Sequence, residues 1–527
     1  MSLQFITGNS GNGKTKYLFN RIVKEAKANP RDNYLVIVPE QFTMQTQRQL
    51  VDLSENKAIM NIDVLSFKRL AYRVFDELGI TNLTVLEETG KNLVLRKLAA
   101  QEADKLGVIG RNLNRIGYIS EVKSLLSELV QYNISPEELG RYIASGRLSD
   151  TLSDKLKDVL VLYEAFEKFM QDKYITAEEI LNVLSNVAEE SAILRNSVIA
   201  FDEFTGFTPI QNQLIKKLFV ISKKIYVTLT IDCREDIFKS RGMQELFDMP
   251  KRTVKSLTEM AAFYGIEVEE PIILDKNYRL AENEELSFME QQLFRKRRCS
   301  FKKVPKHIHI DCLRDPKQEL TKIARRINEL VRNENLRYRD IAIVTGDVNI
   351  YAGYVREIFD KYNIPYFIDA TQEILFHPFI EFIRSIPDIA AQHFSADAVF
   401  RFLRCGFSEL LDSEIDVLEN YVLACGVRGK SAWDKKWVRL PKHKAGYDLE
   451  LLNQSREYIM ELLKPVYQVF SDKKSTVKDY VLAIYKLIVL LDIPDKLAKK
   501  EQALLDAGDQ TASKEYGQIY KNSHAAL

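Results

Sequence analysis

One short segment constrains this chain more than any other. Gly8-Asn9-Ser10-Gly11-Asn12-Gly13-Lys14-Thr15 fits the pattern G-x-x-x-x-G-K-[ST], between a β-prone run at residues 3–7 and a helical stretch carrying Tyr17, Leu18, Phe19, Ile22 and Val23. Strand, glycine loop and helix in that order let backbone amides close around a phosphate at a helix amino terminus. The glycines permit the wrap, Lys14 reaches the β- and γ-phosphate oxygens, and the Thr15 hydroxyl is placed to ligate Mg²⁺. The bland alternative is an ordinary glycine turn. The helix is expected to end near Asn29-Pro30, and Tyr34-Leu35-Val36-Ile37-Val38 follows as an unbroken apolar run stopped by Pro39, the pattern of a strand buried on both faces of a parallel sheet. The opening therefore reads as a βαβ unit, and the chain as α/β.

A length of 527 residues predicts three or four domains at about 150 residues each. Residues 84–190 read as helices throughout: Leu156, Val159, Leu160, Tyr163, Phe166 and Phe169 form one apolar stripe, and Ser135-Pro136-Glu137-Glu138 is a helix start with cap, proline and acids. Strands return at residues 197–201 and 225–231, separated by a helix near 209–219, so the helical block is expected to be inserted into one sheet domain made of residues 1–83 and 191–290. A basic linker, Lys296-Arg297-Arg298 with Lys302-Lys303, precedes a second expected α/β unit at 291–385, with strands at His307-Ile308-His309-Ile310, residues 340–344 and Tyr366-Phe367-Ile368 and a helix near 319–331. Residues 386–527 are expected to form a second helical insertion whose last residues look like a helix cut short.

Composition narrows the function classes. With 46% hydrophobic and 28% charged residues the chain is neither disordered nor a disulfide miniprotein. Lys and Arg total 75 against 74 Asp and Glu, so any polyanion contact must be local. Cys233, Cys299, Cys312, Cys405 and Cys425 are scattered, without the clustering that a zinc ribbon, a disulfide framework or an iron–sulfur cluster demands. With no basic leader and no run of about 18 apolar residues, the expectation is a cytoplasmic protein that makes no use of a membrane.

A phosphate loop needs a second carboxylate at the end of a neighbouring strand to hold the cation, and often an adjacent acid to activate the attacking water. Asp202 and Glu203 follow the apolar run 198–201 and fit those two roles, Asp202 with Thr15 for Mg²⁺ and Glu203 with Lys14 for catalysis. The bland reading of an Asp-Glu pair after a strand is a solvated turn or cap. Arg428-Gly429-Lys430 and Trp433-Asp434-Lys435-Lys436-Trp437-Val438-Arg439, extended by Lys442 and Lys444, interleave aromatics with cations as a single-strand groove would, although core tryptophans beside a solvated loop give the same string. The six histidines lack paired metal spacing and read as structural.

Asp202-Glu203-Phe204 followed by Thr208-Pro209-Ile210-Gln211 resembles the second motif of superfamily 1 DNA helicases, which implies that Gln211 joins the nucleotide site. Residues 64–71, with Ser66, Phe67 and Lys68, are similar to the motif by which those helicases touch single-stranded DNA, which implies that Phe67 stacks a base. A closer resemblance, to the AddB (RexB) family, is carried by Val38-Pro39-Glu40-Gln41-Phe42-Thr43, by Phe204-Thr205-Gly206-Phe207 with Thr208 to Gln211, and by Ile364-Pro365-Tyr366-Phe367-Ile368-Asp369 with His377-Pro378. It implies a phosphate-loop NTPase of two RecA-like, superfamily 1 helicase-type domains with large helical insertions, matching the amino-terminal half of the family. It further implies ATP and Mg²⁺ as cofactors, Gln41 and Phe42 as further DNA contacts, an AddA-type helicase-nuclease as heterodimer partner, and a role at double-strand DNA breaks in scanning single-stranded DNA for the recombination hotspot Chi. The family's nuclease domain and iron–sulfur cluster lie further toward the carboxyl terminus.

Departures from an active motor are also visible. No Gly-Asp-x-x-Gln segment follows residues 228–232, and Ile343-Val344-Thr345-Gly346-Asp347 lacks the arginine expected to reach the γ-phosphate. Losing such an arginine costs hydrolysis a factor on the order of 10³. The expectation is ATP binding with weak hydrolysis, translocation being left to the partner. The alternatives are a self-sufficient DNA-dependent ATPase and a scaffold with a vestigial loop.

Overall fold

The computed structural model describes residues 1–81, 84–108, 110, 116–146, 148–171, 174–295, 299–369, 374–441 and 446–526, which divide into two compact units, 1–311 and 312–527.

The first unit is built on a parallel sheet. Its strands are β1 (Ser2–Gly8), β2 (Tyr34–Ile37), β3 (Ile62–Leu65), then, beyond a helical block, β6 (Val198–Phe201), β7 (Lys224–Thr230), β8 (Glu267–Val268) and β9 (Ile272–Leu274), while β4 (Val85–Leu86) and β5 (Ile175–Thr176) form a separate parallel pair. The order is β3-β2-β6-β7-β1-β8, with β9 also pairing β1, and every pairing is parallel. β1 and β6 expose almost nothing because helices cover both faces, as expected of continuous Val, Ile and Phe runs. Leu18, Phe19 and Ile22 of helix α1 (Lys14–Ala28) pack on one face with Ile6, Val36 and Tyr226. Leu70, Ala71, Val74 and Phe75 of the helix Phe67–Leu78 pack on the other with Phe5, Ile37 and Phe201.

The helical block of residues 88–170 has its own core, in which Leu95, Ile119, Val122, Val159, Leu162, Tyr163 and Phe166 are buried. The short pair β4 and β5 closes its neck, so the expected insertion enters and leaves at one place. Lys91 is buried there, its ammonium held 2.7 Å from Glu178 and 2.9 Å from Glu88.

In the second unit the helices Pro316–Asn333 and Val348–Lys361 bury Leu320, Ala324, Ile327, Ile358 and Phe359 against one another. The expected strands at 307–310, 340–344 and 366–368 do not form among the described residues. A strand needs a laddered neighbour and a covered face; Ile310 is 93%, Val344 92% and Phe367 88% exposed, and none of the three segments joins a ladder. Eight helices, from Pro378–Ala391 to Gln510–Ala526, account for most of the described residues beyond 377 and enclose a core rich in aromatics, including Phe379, Phe382, Phe402, Tyr421 and Trp433.

Candidate functional site

Register decides where the first site lies. Gly8 at the carboxyl end of β1 pairs with Thr230 of β7, and Phe201 at the end of β6 pairs with Val227 of the same strand and with Ile37 of β2. The segments leaving β1 and β6 therefore emerge on one edge of the sheet, where ligands of open parallel sheets bind. Gly11 has φ 89°, and a Cβ there would sit 2.8 Å from the Arg279 side chain; Gly13 has φ 80° and caps α1 without any side-chain hydrogen bond. That helix start leaves its first amides open to an anion.

The Lys14 ammonium folds back onto the carbonyls of Gly8 and Asn9, 3.0 Å from each, and burial lowers its pKa against the raising effect of Glu203 and Asp202. The Thr15 hydroxyl lies 3.3 Å from both the Asp202 and the Glu203 carboxylates, and the Thr228 hydroxyl donates to Asp202. Asp202 is 1% exposed, its second carboxylate oxygen has no hydrogen-bond partner, and burial, reinforced by the Glu203 charge, raises its pKa. A buried carboxylate with one oxygen on threonine hydroxyls and the other without a partner fits a small divalent cation, which supplies the missing charge and reverses the effect of burial. With few protein oxygens at hand, the site suits Mg²⁺, which keeps most of its waters. Glu203 sits at φ 64°, a left-handed backbone uncommon outside glycine and found at functional sites where the surroundings enforce it. A cavity of about 710 Å³ is lined by Ser10, Lys14, Thr15, Asp202, Glu203, Tyr278 and Arg279, among others.

Asn277, Tyr278 and Arg279 carry no signal in the sequence that assigns them here. The Asn277 amide donates to Ser10 O at 2.9 Å, the Tyr278 amide to Gly11 O at 3.0 Å, and the Arg279 guanidinium approaches the Ser10 hydroxyl at 3.4 Å. Arg279 also lines the cavity, and its charge is felt by Lys14. Only an Asn beside an aromatic and a cation after the apolar run of β9 marks the segment, and nothing local ties it to a loop more than 260 residues earlier.

Gln211 is not in this cavity. Its side-chain oxygen accepts from the Thr208 amide at 2.9 Å, closing a capping box at the start of the helix Pro209–Ile221, so its acceptor is already taken by the backbone. It lines instead a groove of about 330 Å³ with Pro39, Glu40, Ser66, Phe67, Lys68, Ile180 and Phe204. The expected DNA contacts divide there. Phe67 is 7% exposed and its ring packs against Phe201, Phe204 and Phe207 at 5.8, 5.5 and 6.3 Å, so it builds the groove wall and is not a free stacking platform. Ser66 is buried, its hydroxyl capping the next helix through the Arg69 amide. Phe42 leans into the core beneath α1, whereas Gln41 and Lys68 are exposed.

In the other aromatic and cationic string the tryptophans are core, while Lys435, Lys436 and Arg439 are exposed. Trp433 is fully buried and Trp437 nearly so, 5.3 Å apart, with the Arg456 guanidinium donating to Trp433 O at 2.9 Å. Lys442 and Lys444 lie outside the described residues, as do Lys296, Arg297 and Arg298 of the linker. Among the described residues no helix is long and apolar enough to cross a membrane.

Residues 5–290 match the family described as ADDB, N-terminal. The chain is 38% identical over 531 residues to the ATP-dependent helicase/deoxyribonuclease B subunit of Lachnoclostridium phytofermentans, covering 99% of this chain and 46% of that protein. Proteins of the same description in Clostridium novyi and Clostridioides difficile are 31% and 32% identical, again over 99% of this chain and 45% and 46% of theirs. The chain thus spans about half the length of the curated relatives it matches.

Proposed function

This chain belongs to the ADDB amino-terminal family, and on that premise we propose that it is the helicase-like part of the AddB-type component of an ATP-dependent helicase-nuclease acting at double-strand DNA breaks. In this reading residues 8–15 bind the triphosphate of ATP, with Lys14 on its β- and γ-oxygens. Thr15 and Asp202 hold Mg²⁺, and Glu203 orients or deprotonates the attacking water. The observation that carries the reading is the Thr15 hydroxyl facing both Asp202 and Glu203.

The groove beside Lys68, Gln41 and Gln211 takes single-stranded DNA in the same reading. An AddA-type protein is the partner and the main motor, while this chain scans the strand for Chi. Residues 291–385 are the helicase-type second domain, supported by the paired helices 316–333 and 348–361.

One observation favours a second reading, a self-sufficient DNA-dependent ATPase: Arg279 lines the same cavity as Lys14 and approaches Ser10 of the phosphate loop, and in that reading it supplies the cation that stabilises the γ-phosphate. DNA-stimulated turnover of the purified chain separates the two. Low turnover that rises when the AddA-type partner is added supports the first reading; robust turnover by the chain alone, abolished in Glu203→Ala, supports the second and overturns the assignment of the motor to the partner.

A further inference from the structure

The stretch that leaves the sheet domain is fastened to the phosphate loop by contacts that phosphate binding does not itself require. Asn9, 5% exposed, donates from its amide nitrogen to Glu290 at 2.7 Å, on the helix Glu284–Gln292, and accepts from the Cys233 amide at 2.9 Å, just past β7. Beside Cys233, the Asp232 carboxylate, with a side chain only 2% exposed, receives the Arg234 guanidinium at 2.9 and 2.6 Å and the Arg295 guanidinium at 3.0 and 2.9 Å. Arg234 also donates to Gln291 O at 3.2 Å, and Arg295 lies 5.0 Å over the Phe247 ring. Helix 284–292 and the three residues after it are thus held at Asn9, Arg234 and Asp232.

We infer that this mooring is a nucleotide-responsive latch: Asn9, Asp232 and Arg295 pass the occupancy of the phosphate loop to residues 284–295, the segment through which the chain leaves the sheet domain. The inference rests on the nucleotide reading above. Asn9 is the hinge because its two ends belong to different jobs. Its carbonyl is one of the two acceptors of the Lys14 ammonium, and its side chain is the link to Cys233 and Glu290. A triphosphate that draws the ammonium away from Gly8 O and Asn9 O changes the constraint on the residue whose side chain holds the exit helix. Asp232 makes the response discrete: a buried carboxylate shared by two guanidinium groups is costly to open part-way, since any intermediate leaves buried charge unpaired. Two residues before it, Thr230 lines the nucleotide cavity, so the latch and the site share the end of β7.

Amide hydrogen exchange over residues 284–295 tests this, read beside a direct titration of the chain with Mg²⁺ and a non-hydrolysable ATP analogue. In the wild type, saturating nucleotide slows exchange there by about tenfold. Arg295→Ala keeps the nucleotide Kd within about threefold, yet its exchange no longer responds; Arg295→Lys, which retains the charge but not the fork, recovers part of the response. Unchanged exchange in a wild type that demonstrably binds nucleotide overturns the latch and leaves the nucleotide site standing. A wild-type response in Arg295→Ala overturns it equally. Failure of the wild type to bind nucleotide overturns both, and the titration identifies that case.

Discussion

The hydroxyl of Thr15 lies 3.3 Å from the carboxylate of Asp202, a residue 187 positions further along the chain. No local preference produces that approach. It follows from the parallel register in which β7 pairs with β1 on one side and β6 on the other, bringing the loop after β1 and the acids after β6 to the same edge. In the proposed reading the cation and the phosphate share that edge, and five expectations can be measured.

Asp202 is destabilising in the absence of a cation. Burial raises its pKa, so the folded state holds the Asp202 proton more tightly than the unfolded chain does. The ionised group therefore opposes folding above its ordinary titration range, and that opposition fades as pH falls through the raised value. Asp202→Asn is expected to raise the nucleotide-free melting temperature at pH 7, with the difference shrinking in mild acid. The same substitution should remove the Mg²⁺ dependence of nucleotide binding.

Glu203 is exposed to the cavity and tied to Thr15 through one 3.3 Å contact. Glu203→Gln keeps its shape and loses its basicity. Nucleotide affinity should hold while DNA-stimulated turnover, in the assembled complex if the chain alone is slow, falls by about 10²- to 10⁴-fold.

In the self-sufficient ATPase reading Arg279 stabilises charge on the transferring phosphoryl group, and its substitution separates the two readings. Arg279→Ala should cut turnover on the order of 10³-fold, measured with saturating ATP, and Arg279→Lys should recover only part because it lacks the planar fork. Equal turnover in Arg279→Ala and wild type would remove the arginine from the reaction.

Phe67 and Lys68 are neighbours with separable effects. Phe67→Ala empties a site walled by three phenylalanine rings and should cost about 3 to 5 kcal/mol of stability in denaturant unfolding. Lys68→Ala should leave stability within about 0.5 kcal/mol, while lowering the salt slope of single-strand binding by about 1.

Asp232 reports the latch in acid. Burial would raise its pKa, yet hydrogen bonds from Arg234 and the charges of Arg234 and Arg295 bring it down to about 2 from an ordinary 3.8. Its contribution is therefore complete above pH 3.8 and lost as pH falls through about 2. Acid unfolding should show this shoulder in the wild type and not in Asp232→Asn, whose loss of a buried partner costs about 3 to 5 kcal/mol at neutral pH.

What can be read from the sequence is local. Gly8 to Thr15 announce their own geometry, and Asp202 is legible as an acid that ends an apolar strand. Arg279 is not, because its relation to Ser10 exists only after β9 pairs with β1. For Phe67, motif likeness misleads where periodicity does not: Phe67, Leu70, Ala71, Val74 and Phe75 repeat at helical spacing and mark one buried face. The runs at 340–344 and 366–368 carry strand-forming residues, but composition does not supply the neighbouring strand that a ladder requires.

The central claim is that Lys14, Thr15 and Asp202 form one Mg²⁺-nucleotide site, and isothermal titration of the chain with ATP in the presence and absence of Mg²⁺ tests it most directly. Saturable binding with one nucleotide per chain, weakened without Mg²⁺ and lost in Lys14→Ala, is the predicted result. Binding that is absent from the wild type, or indifferent both to Mg²⁺ and to Lys14→Ala, would contradict the account.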